Sequence, residues 1–580
     1  VWMRFYSANN MIIPDCDEVF NYYEPLNLLV RGFGKITWEY LPLYAIRSWS
    51  FLVPFTLPVA LSRVFKINGF YAVRYALAAA SVLAELSLFK TLNERISVKM
   101  SYWFLLFQII SPGMSHAAIS LLPSSIAMVL VICTTNTVVQ FIQLPPLATG
   151  HTQRTKVNVG VRAIVGFAAA GLYGWPFALA LAVPFLVYVL LITWFSWTFM
   201  WRLVARSSIA VAAMCAAIIG TDQFFYNFDL PTWRSIEFVP LNIVLYNVVN
   251  SSETSGPNIF GVEPLSYYLL NLLLNFNGML LLAVLGVVMN LTSFALFRFS
   301  KRQTNLLNLT TSVPILIWCA CFFAQPHKEE RFLYPIYPLL NLSAALATKY
   351  LFIGANRFIL DTVGIRSHAI VKRTINYLSV VVVVGVLGTV SLLRIRNLVE
   401  NYAAPLRVYA HVPPSENPVN ICVGREWYHY PSSFFLPQNA RLRFVQSGFN
   451  GLLPGDFQEV DPALAFTPYV AALAGSISSV PPNMNNENRF DASKVVDFSQ
   501  CDYYVDISQP TGPKEAQVVY EKQGLQVALG WEVVHCEKFI DADASSGLGK
   551  LLYVPVRWRQ LFPYDVVYYD YCLTKRSENV

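Results

Sequence analysis

Two short stretches gather ionisable and aromatic side chains between long apolar runs. The first reads PDCDEVFNYYEP over residues 14–25 and continues as GKITWEYLPLYAIRSW over 34–49. Asp15, Asp17 and Glu18 crowd its start, and Glu24 and Glu39 follow. If residues 17–30 are helical, Val19, Tyr22, Tyr23, Leu26 and Val30 share one face, while Asp17, Asn21 and Glu24 share the other. That pattern predicts a helix lying at a membrane surface, apolar side down and carboxylates up. The second stretch is QPHKEERFLYP over 325–335, where His327, Lys328, Glu329, Glu330 and Arg331 stand in a row between two apolar segments. Such a row can simply anchor helix ends. Its mixed signs also suit a phosphorylated ligand: His327, Lys328 and Arg331 can hold phosphate oxygens, Arg331 through a planar fork. Glu329 and Glu330 could accept bonds from sugar hydroxyls. Ionisable groups held against a bilayer are unfavourable, so both stretches are candidate functional sites.

The elements that must position them belong in a membrane. Of 580 residues, 55% are hydrophobic, 14% aromatic and only 13% charged, and the mean hydropathy is +0.45. This is a polytopic α-helical membrane protein. Its net charge of +7 sits in short clusters between apolar runs, which fits membrane topology better than a nucleic-acid surface. Spans are expected near 69–89, 101–113, 117–144, 159–173, 175–196, 205–221, 267–297, 311–325, 332–353 and 375–395. A helix needs about 20 residues to cross ~30 Å of hydrocarbon. Residues 1–13 are too few to cross, and the chain opens with Val1, so they read as the end of a truncated first helix. The segment 46–65 carries Pro54 and Pro58, expected to break it into an interfacial or re-entrant piece. The count is then about eleven crossings.

Basic clusters at 90–99, 154–156, 202–206, 298–302 and 357–373 are each separated by two spans, so all can be cytoplasmic. The same parity places the 14–68 acidic loop, residues 222–266 and 326–331, and everything after 395 on the other face. The chain thus divides into residues 1–13, the 14–68 loop, a 69–395 transmembrane module and a 396–580 domain. In that last part, short β-type stretches (NICVG, RLRFV, YYVDI, WEVVHC, LLYVPV, DVVYYDYCL) alternate with turns, which predicts an α/β domain. It holds Cys422, Cys501, Cys536 and Cys572, for which three pairings are open. Asn250 is the one sequon in a non-cytoplasmic loop and the expected glycan site.

Together, HKEERFLYP, DCDEVFNYYEP, TWEY with AIRSW, SGPNIFGVEP, LNLLLNF and GREWYHYPSSFFLP resemble the fungal-type endoplasmic-reticulum α-1,2-mannosyltransferases of asparagine-linked glycosylation, which belong to the GT-C superfamily. The resemblance implies a multi-pass glycosyltransferase with a lumenal site, dolichyl-phosphate mannose as donor and a dolichyl-diphosphate oligosaccharide as acceptor. It implies addition of the seventh and ninth mannoses. Glycosylphosphatidylinositol-anchor mannosyltransferases share the HKE-type motif and are the alternative, although they usually have His-Pro where this chain has Asp15 and Cys16. A transporter is the alternative of another class, but no paired repeat supports it. Making an α-linkage from a β-linked phosphate donor inverts the anomeric carbon in one displacement. A carboxylate must accept the acceptor's hydroxyl proton, a contribution of roughly 10² to 10⁴ in rate. Asp17 matches the Asp of the family's Asp-Glu pair and is the expected base, with Glu18 and Asp15 behind it. His327, Lys328 and Arg331 would stabilise the departing phosphate. Glu24, Glu39, Glu329, Glu330, Asp222 and Glu263 are candidates for sugar or acceptor binding, Asp222 and Glu263 with helix capping as the other reading. No metal or cofactor is implied, although a carboxylate-rich loop could take Mg²⁺ or Mn²⁺.

Overall fold

In the computed structural model the described residues are 1–580, apart from 146–148, 194–195, 227–235, 253–255, 297–301, 364–368, 462–476, 478, 513–514, 562 and 578–580. Among them, eight helices are long and apolar enough to cross a membrane, or nine if one sharply bent pair is counted as a single span. The higher count expected from sequence included two shorter pieces, Trp2–Asn10 and Val98–Ile110, of 9 and 13 residues. Of the basic clusters at 298–302 and 357–373, residues 298–301 of the first and 364–368 of the second lie outside the described residues.

Local sequence sets the helix ends. Asn68 caps Gly69–Arg95 by accepting from the Phe70 N–H at 2.9 Å, and Ser97 caps Val98–Ile110. Prolines open Pro112–Ala117 and Pro123–Gln143, where a missing N–H does no harm. The run expected as one span at 117–144 is helical over Pro123–Gln143. The run expected at 267–297 is instead two helices, Leu265–Phe276 and Gly278–Leu296, bent by 107°. Asn277 sits at φ 46° between them, the left-handed conformation an Asn-Gly pair tolerates.

Three expectations about the ends of the chain need correction. Pro54 and Pro58 do not break their segment: Trp49–Phe65 is one helix of 17 residues. Four-residue spacing puts both rings on one outward side, and the inward backbone ladder continues. At ~26 Å it falls short of a full crossing. The first-loop helix is not laid on a surface either, because Glu18 through Val30 are all buried. LLYVPV is not a strand: the Tyr553 N–H donates to Leu393 O at 3.0 Å, so this stretch bonds to the end of helix Ala369–Tyr402 instead of a sheet.

The C-terminal region is built on a five-stranded mixed sheet in the order Ala440–Phe444, Val419–Val423, Tyr503–Ile507, Tyr564–Arg576, Trp531–Gly547. The first three are parallel and the last two antiparallel to their neighbours. Beyond 410, each helix whose bounds are described is a 3-10 turn. Disulfides join Cys422 to Cys501 and Cys536 to Cys572, which settles the pairing.

This region is stitched to the acidic loop. Lys35–Ile36 pairs with Gly455–Asp456 as a two-stranded ribbon, and Lys35 Nζ lies 2.7 Å from Asp456. Arg31 donates to the Ser433 and Leu436 carbonyls at 2.7 and 2.8 Å, and Asn68 to Phe434 O at 2.8 Å. The PSSFFLP segment therefore acts as a clamp.

Candidate active site

A cavity of about 690 Å³ opens where the acidic loop, the 327–331 segment and the C-terminal region meet. Asp15 begins the helical turn Cys16–Glu18, its carboxylate accepting from the Asp17 N–H at 2.9 Å. That Asx cap points Asp15 and Asp17 toward Arg331, which folding brings from the far half of the chain. Arg331 Nη2 is 2.5 Å from Asp17 Oδ2 and Nε is 3.2 Å from Asp15 Oδ2. Arg331 also forms an ion pair with Glu329. Its side chain is only 11% exposed while that of Asp17 is 34% exposed, so of these two groups lining the cavity the carboxylate is the more open.

Charge balance explains the protonation behaviour. Burial pushes Asp15 up to about 7, with the charges of Asp17 and Glu329 adding and Arg331 opposing. Burial also works against ionised Glu329, but Arg331 and the bond from His327 outweigh it and hold the carboxyl down at about 2. His327 bonds Glu329 at 2.9 Å through Nε2 and the Gly261 carbonyl at 2.7 Å through Nδ1. Burial opposes its cation, yet these partners raise its pKa above the ordinary histidine value.

The other expected residues divide between the cavity and the frame. Glu39, Glu263, Glu330 and Lys328 line the cavity. Glu330 accepts from Asn275 at 2.9 Å and pairs with His116 at 2.6 Å. The Lys328 ammonium donates to the carbonyls of Glu263 at 2.8 Å, Pro326 at 3.5 Å and Gln325. Glu18 is fully buried and accepts from the Leu121 N–H at 2.9 Å. Glu24 is fully buried too, accepting from the Lys35 N–H at 3.0 Å and from the Ser433 N–H and hydroxyl at 2.7 and 2.8 Å. Asp222 accepts from the Ser50 N–H at 2.9 Å and the Ser48 hydroxyl at 2.8 Å, so it caps helix Trp49–Phe65. Asn250 is exposed, away from the cavity lining.

Sequence reasoning assigned no role to Arg47, His116, Asn275 or Trp427. Arg47 bonds Glu39 at 2.6 Å and the Tyr22 hydroxyl at 2.9 Å. Its signal was a lone cation inside LPLYAIRSW, and that of His116 a lone imidazole in the run SPGMSHAAI. Trp427 and Tyr428 bring an aromatic wall from the C-terminal region, a common device for holding sugar rings against an apolar face.

Asp15, Cys16 and Asp17 place their ligand atoms within 4.8 Å of one another, but both carboxylates already face the Arg331 guanidinium. A solvent-reached carboxylate held by buried cations, among membrane-length helices, fits a multi-pass membrane transferase. The chain belongs to the Alg9-like mannosyltransferase family, whose sequence model matches residues 1–437. The α-1,2-mannosyltransferase ALG9 of Saccharomyces cerevisiae is 37% identical over 97% of this chain and 94% of its own length. That of Homo sapiens is 34% identical over 97% and 85%. Among solved structures, ArnT from Cupriavidus metallidurans, bound to undecaprenyl phosphate, superposes with a TM-score of 0.47 at 13% identity, covering 77% of this chain and 84% of that one.

Proposed function

We propose that this enzyme is an inverting α-1,2-mannosyltransferase that moves mannose from dolichyl-phosphate mannose to a dolichyl-diphosphate oligosaccharide at the lumenal face of the endoplasmic reticulum. The acceptor is the precursor that takes its seventh and ninth mannoses. The observation that carries this reading is Asp17: a carboxylate reached from the cavity, with one oxygen held by Arg331 and the other without a hydrogen bond among the described residues. Asp17 Oδ1 takes the proton from the acceptor hydroxyl as that oxygen bonds to the anomeric carbon. The anomeric carbon–phosphate oxygen bond breaks on the opposite face, and dolichyl phosphate leaves with the electron pair.

The leaving phosphate gains negative charge, which His327, Lys328 and Arg331 stabilise. Asp15 and Asp17 already pair with the Arg331 guanidinium, which supports a reaction without metal. The family and its relatives named α-1,2-mannosyltransferase favour this reading over the glycosylphosphatidylinositol and transporter alternatives.

The test is Asp17→Asn in purified enzyme. Transfer is expected to fall by at least about 10² while donor binding persists; near-normal turnover would remove Asp17 as the base. A second expectation concerns Arg331. Arg331→Ala should raise the donor KM and lower kcat, and Arg331→Lys should recover only part, because an ammonium lacks the bidentate fork. Wild-type constants in both variants would overturn the phosphate role.

A further inference from the structure

Two guanidinium groups converge on one oxygen of Asp17. Arg331 Nη2 lies 2.5 Å from Oδ2 and Arg47 Nη2 lies 3.6 Å from the same atom. Oδ1 is left without a hydrogen bond among the described residues, on a side chain open to the cavity. The two cations differ in their other partners. Arg331 is shared among three carboxylates, whereas Arg47 is fixed by one carboxylate, Glu39, at 2.6 Å and by the Tyr22 hydroxyl at 2.9 Å. Its guanidinium also lies over the Tyr22 ring, 5.6 Å from the centroid.

The backbone that delivers Arg47 is held with unusual care. Ala45, two residues earlier, is fully buried at φ 42°, a left-handed conformation that alanine adopts only when its surroundings impose it. Its N–H donates to Leu41 O at 2.9 Å and the Ile46 N–H to Glu39 O at 3.1 Å. Asn242 donates to Ala45 O at 3.2 Å, and the Tyr226 hydroxyl to Arg47 O at 2.5 Å. Glu39 therefore acts at two points, its carbonyl closing the turn onto the Ile46 N–H and its carboxylate holding the Arg47 guanidinium.

We infer that Arg47, set by Glu39 and Tyr22, is a positioning residue for the transfer: it turns the Asp17 carboxylate so that Oδ2 faces the two guanidiniums and Oδ1 faces the acceptor hydroxyl. The inference rests on Asp17 being the base. Its consequence is electrostatic as well as steric, because Arg47 favours the ionised base and Glu39 moderates that effect. The charged and titratable groups facing Asp17 are Asp15 and Cys16 on its own turn and Arg331 and Glu329 from the 327–331 segment. Arg47, Glu39 and Tyr22 complete the first-loop side, and Tyr428 approaches from the C-terminal region.

Substituting the pair should therefore move the acidic limb of the kcat pH profile in opposite directions. In Arg47→Gln the limb should move up by about one pH unit and kcat should fall roughly ten- to a hundredfold, with donor KM little changed. In Glu39→Gln the limb should move down, because an anion beside Asp17 is lost and Arg47 acts on it undivided. A frame residue with no hold on the base would change yield or Tm and leave both limbs where they are. The measurement is kcat against pH for the full-length enzyme in detergent, with dolichyl-phosphate mannose and the lipid-linked acceptor, at matched amounts of donor-binding protein. Opposite shifts support the assignment, and unmoved limbs in folded variants overturn it. Should Arg47→Gln not fold, Glu39→Gln decides alone: a downward shift supports the assignment and an unmoved limb overturns it. An active Asp17→Asn would instead overturn the base itself, so failure of the underlying reading stays distinguishable.

Discussion

Asp15 and Asp17 share a helical turn and a counter-ion, yet folding treats them differently. Asp15 is raised from 3.8 to about 7, so the folded protein binds its proton more tightly than the unfolded chain does. Its contribution to stability is complete below about pH 4 and fades as pH rises through about 7. Glu329, lowered from 4.5 to about 2, works the other way: its contribution is present above about pH 4.5 and fades as pH falls toward 2. Asp15→Asn should therefore flatten the decline in Tm between about pH 5 and pH 8. Because the Asp15 side chain remains 24% exposed, the change will be smaller than full burial would give. Melting curves by intrinsic fluorescence across that range check it, and curves that stay parallel to wild type would count against the assignment. At this scale the candidate residues were legible, because three acids or five charges in an apolar sequence are conspicuous. Their division of labour was not. Asp17 and Arg331 stand 314 positions apart, and only folding shows that one guanidinium serves Asp15, Asp17 and Glu329 together.

At the scale of elements, one π turn decides which carboxylates reach the cavity. Val19–Tyr23 is π-helical, the Glu24 N–H bonding to Val19 O, between the turn Cys16–Glu18 and helix Glu24–Arg31. In an uninterrupted helix, Asp17 and Glu24 would share a face, as the sequence pattern suggested. The inserted residue rotates everything after it by roughly 100°, turning Glu24 away from Asp17 and onto Ser433. Glu24→Ala should then act on the frame. It leaves the Lys35 and Ser433 N–H groups without their partner in a buried place, each loss about 1–3 kcal/mol. The expected result is a large drop in Tm and yield, with kcat per folded molecule close to wild type. A selective loss of kcat at normal Tm would contradict it. Asp222→Ala should be milder, about 0.5–2 kcal/mol as for other lost caps, read as a lower Tm.

For the whole molecule, the basic clusters predict a non-cytoplasmic C-terminal sheet region, and its two disulfides fit an oxidising compartment. Protease added to sealed microsomes is expected to spare residues after about 396 until detergent is present; cleavage without detergent would reverse the topology. Reduction should loosen the same region, since each bridge closes a long loop and typically contributes about 2–4 kcal/mol. The joint between that region and the acidic loop is built from the Glu24–Ser433 bonds and the Lys35–Asp456 pair. Trp427 and Tyr428 reach the cavity because this clamp holds.

By itself the amino-acid sequence determined that the chain lives in a membrane, because 55% hydrophobic residues in long runs have no other stable environment. It also determined where the polar chemistry gathers and, through its motifs, which family the chain belongs to. These are properties of composition and short spacing, which survive without coordinates. What only the tertiary structure decided was the sorting of like residues by partner: Asp17 to the cavity, Glu18 to the Leu121 N–H, Glu24 to the clamp and Asp222 to a helix cap. A carboxylate's role depends on which donors lie within about 3 Å of it, and here most of those donors come from elements tens to hundreds of residues away. Arg47 escaped notice for the same reason. Alone in an apolar turn it looks like a boundary charge, and its meaning appears only when Glu39, Tyr22 and Asp17 are placed around it.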